Sequence, residues 1–165
     1  MRDEKEILFE SIELGLSHEG FSIVDKNWRK PWGGFFVIEE QQAQQFANRY
    51  FDGINIDELK IGNKLSPKIL VVAPLKRLSW QYHHRRAEIW QVVTGKVGIS
   101  VSSTDEEGEV KVYGPKDQIR LKQGERHRLI GLDDWGVVAE IWQHTDASSP
   151  SDEDDIVRVQ DDFGR

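Results

Sequence analysis

Residues 88–103 read EIWQVVTGKVGISVSS, and this stretch decides the fold. Two strand-forming runs, Glu88–Val93 and Val97–Ser103, flank Gly95-Lys96. Apolar and β-branched residues on either side of a short glycine turn predict a β-hairpin. The same pattern continues outward. Upstream lie Ile69–Ala73 and Leu78–His83. Downstream lie Val110–Tyr113, Gln118–Leu121, His127–Ile130 and Val137–Trp142. Turn signals separate them at residues 104–108, Gly114-Pro115, Gln123-Gly124 and Asp133-Asp134. Eight short strands at near-even spacing predict an all-β barrel or jelly roll.

The first 67 residues are different. Residues 3–17 carry Ile7, Leu8, Ile12, Leu14 and Leu16 among acids, which predicts a short amphipathic helix of imperfect period. Gly20 and Lys30-Pro31-Trp32-Gly33-Gly34 are breaks, and Phe35–Ile38 is a short apolar strand. Residues 39–50 favour helix by propensity, and residues 52–67 read as a loop.

The chain has 165 residues, enough for one domain with a real core. It has no cysteine, which removes disulfides, thiolate zinc sites and a cysteine nucleophile together. Any metal must be held by histidine, carboxylate or amide oxygen. A net charge of −7 argues against nucleic acid and against an anionic membrane surface. No apolar run approaches the length of about 18 residues that a membrane span needs. The N-terminus MRDEKEILFE lacks the apolar core of a signal peptide, so the expected compartment is the cytoplasm. Most of the negative charge sits in residues 146–165, seven acids against Arg158 and Arg165. On composition alone that tail is a solvated terminus.

Three histidines fall in the β region. Side chains on a strand alternate faces, so Gln81 and His83 share one. Residues 84–87 read as a polar turn, Glu88 opens the next strand, and Gly124-Glu125-Arg126-His127 puts a histidine just past a turn. If the strands wrap into one barrel, Gln81, His83, Glu88 and His127 can converge. Two imidazoles, a carboxylate and an amide oxygen suit a divalent metal such as Zn²⁺. Spacing alone is equally compatible with ordinary solvated side chains.

The spacing Gln81-x-His83-x4-Glu88-x6-Gly95, followed by Gly124-x2-His127, resembles the two motifs of cupins. The run from Arg77 to Trp90 is similar to the signature of type II phosphomannose isomerases. Lys30-Pro31-Trp32-Gly33 resembles that family's opening motif, and Asp154–Arg158 with Asp161–Arg165 its C-terminal one. The pattern departs at Arg85 and Ile89, where the family usually has histidine, and at Lys122, where it has proline. The resemblance implies a cupin double-stranded β-helix, a jelly roll over residues 28–165. Residues 1–27 are then an N-terminal helical extension and residues 39–67 an insertion. Residues 146–153 stay a solvated connector, and residues 154–165 pack on the barrel through Ile156, Val157 and Phe163. It also implies that Gln81, His83, Glu88 and His127 are metal ligands. The implied reaction interconverts mannose 6-phosphate and fructose 6-phosphate, with a small sugar phosphate as the partner. A homodimer that buries one sheet is in keeping with cupins.

Such an isomerisation needs a general base near C1 and C2, and cations for phosphate. Glu140, on a late strand, and Lys122 are the leading candidates for the base, with Lys76 behind them; each reads equally as a solvated residue. Parity puts Arg77 and Ser79 on the face of Gln81, and Arg158 and Arg165 lie in the tail, so these are the candidate substrate-binding residues. Trp90 shares the face of Glu88 and joins them, although core packing also accounts for a tryptophan there. The same chemistry on an unphosphorylated aldose such as mannose or lyxose, or a non-catalytic sugar-binding cupin, are the alternatives.

Overall fold

The computed structural model describes residues 3–51, 54–55 and 64–164. Arg165 and most of the expected loop at residues 52–67 lie outside the described residues. The strands are β1 (Ile23–Lys30), β2 (Gly33–Ile38), β3 (Lys68–Val72), β4 (Trp80–Tyr82), β5 (Arg86–Thr94) and β6 (Val97–Ser102). They continue with β7 (Lys111–Tyr113), β8 (Gln118–Leu121), β9 (Arg126–Gly131), β10 (Gly136–His144) and β11 (Val157–Gln160). Helix α1 spans Glu4–His18 and α2 spans Ala43–Tyr50. One sheet runs β1-β2-β3-β10-β5-β8 and the other β11-β4-β9-β6-β7, with antiparallel pairing throughout. This is the expected jelly roll.

The inner strands of the first sheet are buried on both faces. Leu70, Val72, Trp90, Val92 and Val138 point toward the second sheet and meet Val97, Ile99 and Leu129 there. Ile69, Val71, Ile89, Val137, Ala139 and Ile141 point the other way, toward Phe9, Leu16, Phe46 and Phe51. Two covered faces explain why β3, KILVV, is continuously apolar rather than alternating. Gly95 takes φ +74° in the β5–β6 turn, where a Cβ would stand 2.3 Å from the Trp135 carbonyl.

The N-terminal segment is therefore built into the core. The boundary expected between residues 27 and 28 falls inside β1, which the sequence reading missed. Its run IVDKNWRK is polar because it lies at a sheet edge. In α1 the fully buried residues are Phe9 and Leu16, whereas Ile7 and Leu14 are 51% and 63% exposed. Asp3 caps the helix by accepting from the Glu6 amide at 2.8 Å. Replacing Phe9 by alanine is expected to cost about 3–5 kcal/mol, the range for deleting a buried aromatic ring. Denaturant unfolding measures it, and a change below about 1 kcal/mol would show that α1 is not part of the core.

Candidate metal centre

The pairing of β5 with β10 places four side chains on one inner face. Glu140 stands opposite Trp90, and Trp142 opposite Glu88. Across the barrel, β4 and β9 set Gln81 opposite His127. His83 follows β4 at the start of the loop to β5. Gln81, His83, Glu88, Trp90 and Glu140 all line one cavity of about 300 Å³.

Donor atoms of His83, Glu88 and His127 all lie within 4.8 Å of one another, and all three residues are buried. His83 Nε2 is 3.6 Å from Glu88 Oε2, and His127 Nε2 is 3.1 Å from Glu88 Oε1. The outer nitrogens are spoken for. His83 Nδ1 lies 2.8 Å from the Asp155 carbonyl, and His127 Nδ1 lies 3.2 Å from the Glu125 carbonyl. A carbonyl only accepts, so each Nδ1 carries a proton and each Nε2 points inward at Glu88; a neutral ring would offer its lone pair there. His127 Nε2 is buried without a hydrogen-bond partner among the described residues. A lone pair facing a carboxylate oxygen at that distance needs a proton or a cation between them. Two imidazoles and a carboxylate prearranged in this way fit a divalent ion.

Glu88 is held as the carboxylate. Burial pushes its pKa up, but the charges of His83 and Arg86 and contacts from both imidazoles keep it well below the usual range. Arg86 donates from Nε to Glu88 Oε2 at 3.0 Å and stacks on Trp142 with its guanidinium carbon 3.6 Å from the ring centroid. Gln81 lines the same cavity.

Glu140 is the second carboxylate of the cavity and is buried. Trp90 Nε1 donates to its Oε2 at 2.7 Å and Trp142 Nε1 to its Oε1 at 2.8 Å. Burial first, and then the charge of Glu88, push its pKa above the ordinary carboxylate value, against the pull of Lys68, Arg86 and the Trp142 bond. Trp90 also meets His127 edge-on, with ring centroids 5.4 Å apart.

The remaining expectations divide. Ser79 and Arg158 line the cavity, and Arg158 sits on β11 directly opposite Gln81. Arg77 does not line it. Its guanidinium donates to Asp162 at 2.7 and 2.9 Å, because β4 starts only at Trp80 and strand parity does not extend back to residue 77. Lys122 and Lys76 are exposed and line no part of the cavity, since both lie in turns. The expected connector at residues 146–153 is exposed apart from Ser151 and is tied down at two points. Ser151 is buried, and Glu153 bonds Lys68 at 2.6 Å. Beyond it Val157 enters β11 opposite Tyr82, and Phe163 packs against the core between the sheets.

Several site residues escaped the sequence reading. Arg86 falls in the expected turn of residues 84–87, yet it opens β5 and lies two residues from Glu88, the spacing of one strand face. Lys30 and Lys68 line the cavity from the ends of β1 and β3, and Asp25 from β1. Asp155 sits in an acidic run whose composition gives no hint of burial.

A double-stranded β-helix whose interior carries a His–Glu–His group able to hold a metal ion defines a cupin. The family model described as mannose-6-phosphate isomerase C-terminal matches residues 39–161, and the chain belongs to this family of mannose-phosphate metabolism. It is 33% identical over 109 residues to mannose-1-phosphate guanylyltransferase ManC of Salmonella typhimurium, covering 66% of this chain and 21% of that protein. The Escherichia coli mannose-1-phosphate guanylyltransferase is 31% identical over the same shares. The chain thus spans about a fifth of the length of these relatives. The capsular polysaccharide assembling protein CapF of Staphylococcus aureus shares the fold. Its TM-score is 0.55 at 16% identity, over 82% of this chain and 34% of that one. Among the described residues, no helix is long and apolar enough to cross a membrane.

Proposed function

We propose that this chain is a metal-dependent aldose–ketose isomerase that interconverts mannose 6-phosphate and fructose 6-phosphate. The observation that carries the reading is the second buried carboxylate. Glu140 lines the same cavity as His83 and Glu88, and its raised pKa suits a base better than a ligand. A Zn²⁺ ion held by His83, Glu88 and His127, with Gln81 beside them, would polarise the sugar carbonyl. Glu140 would take the proton from C2 of the aldose and return it to C1, while the proton of the C2 hydroxyl passes to the C1 oxygen. Its two indole bonds fix the direction in which the carboxylate points. Lys30 and Arg158 also line the cavity. A guanidinium and an ammonium in its lining suit a phosphate. We place the reaction in the cytoplasm.

A free aldose is the second reading. It is favoured by Arg77, whose engagement with Asp162 removes one of the cations expected for phosphate. Metal-loaded protein assayed against a panel of C5–C7 aldoses and their phosphates tests both. Turnover of mannose 6-phosphate supports the proposal, turnover of free sugars alone selects the second reading, and binding without turnover overturns both.

Arg158→Ala is expected to raise KM for mannose 6-phosphate by about 10–100-fold with little change in kcat, the loss of one charge-assisted hydrogen bond. Steady-state kinetics checks this. An unchanged KM would remove Arg158 from the phosphate site.

A further inference from the structure

Ser151–Asp155 lies beyond the last strand of the first sheet, outside the ligands and the reacting atoms. Its bonds nonetheless converge on the loop that carries His83. The Asp155 carbonyl faces His83 Nδ1 at 2.8 Å. The Asp155 carboxylate accepts from the amides of His84 and Arg85, each at 2.9 Å, and from the Ser151 hydroxyl at 2.6 Å. Ser151 Oγ and the Asp152 carbonyl each accept from Arg86 Nη1 at 2.9 Å, and Arg86 in turn bonds Glu88.

Residues 83–85 form the link between β4 and β5 and have no strand pairing. Their amides would otherwise be half-buried donors. From the opposite side, the Gly124 amide donates to the His83 carbonyl at 3.0 Å, which fixes the backbone but not the ring. The ring direction is set by the bond to residue 155.

We propose that Asp155 is a positioning residue of the metal centre. Its carboxylate anchors the amides of the 83–85 loop, and its carbonyl then holds the His83 ring so that Nε2 points at Glu88 and His127. The proposal rests on the metal-binding reading of those three residues and not on the identity of the sugar. Its effect is local, because the tail has other anchors. Arg128 bonds the Gln160 side chain, Arg77 bonds Asp162, and β11 pairs with β4. Losing an outer partner of a metal-bound histidine typically weakens metal binding about 10–100-fold.

The test is titration of metal-free protein with Co²⁺ or Zn²⁺ against a chromophoric chelator, with melting of each metal-free variant recorded alongside. Asp155→Ala is expected to raise the metal Kd by about 10–100-fold. Asp155→Asn keeps one acceptor oxygen for the two amides and is expected to fall between. Asp162→Ala loosens the same tail at its far end and is expected to bind metal like the parent. The absorption bands of bound Co²⁺ report ligand geometry, and they are expected to shift in Asp155→Ala only. Parental affinity in Asp155→Ala overturns the proposal. So does an equal loss in Asp162→Ala, which would make tail docking in general the cause. If Asp155→Ala does not fold, parental affinity in Asp155→Asn overturns it. A parent chain that binds neither ion overturns the metal-centre reading itself, an outcome distinct from the others.

Discussion

Replacing Glu140 by glutamine is expected to lower kcat by about 10²–10⁴-fold, the usual contribution of a positioned general base. Glutamine has nearly the same volume, so the packing between Trp90 and Trp142 survives. It cannot take a proton from carbon. Its single carbonyl oxygen also satisfies only one of the two indole donors, so a modest loss of stability accompanies the change. Metal binding is expected to persist, because Glu140 is not one of the three clustered donors. The pH profile separates a base from a merely structural carboxylate. Burial and the charge of Glu88 raise the Glu140 pKa above 4.5, and a base works only when deprotonated. Activity therefore rises with pH through that raised value, and the acid limb disappears in Glu140→Gln. Unchanged kcat in the variant would remove Glu140 from the chemistry.

His83→Ala and His127→Ala are each expected to reduce bound metal from about one ion per chain to none detectable after dialysis. Two of the three clustered ligands are too few, since a catalytic zinc is normally held by three protein ligands with one position open. Each change also takes a partner from a buried carboxylate, and breaking a buried pair costs about 3–5 kcal/mol in comparable cases. Arg86 stays in place on Glu88 and keeps part of that charge compensated. Metal content should be measured well below the melting point, with circular dichroism confirming the fold. Full metal content in either variant would exclude the site.

The legible part of this protein follows from strand periodicity. Gln81, His83, Glu88 and His127 could be grouped because each sits on or beside a short strand bounded by a clear turn. Glu140 could be named but not placed. Alternation on β10 says nothing about exposure when Ala139 and Glu140 are both buried, one under the helices and one in the cavity. Arg77 misled because parity holds only within a strand. The edges β1 and β11 were invisible because IVDKNWRK and VRVQ are half polar, as sheet edges are. Asp155 was the hardest to see. An aspartate buried by hydrogen bonds to backbone amides looks, in sequence, like any other member of an acidic tail. Its carboxyl is lowered to about 2, since the Ser151, His84 and Arg85 bonds outweigh burial.

Proton NMR of mannose 6-phosphate incubated with Zn²⁺-loaded protein tests the central claim most directly. The account predicts loss of the C2 proton signal and appearance of fructose 6-phosphate, at a rate that falls about 10²-fold or more in Glu140→Gln. An unchanged spectrum, from protein shown to carry one metal ion per chain, would contradict it.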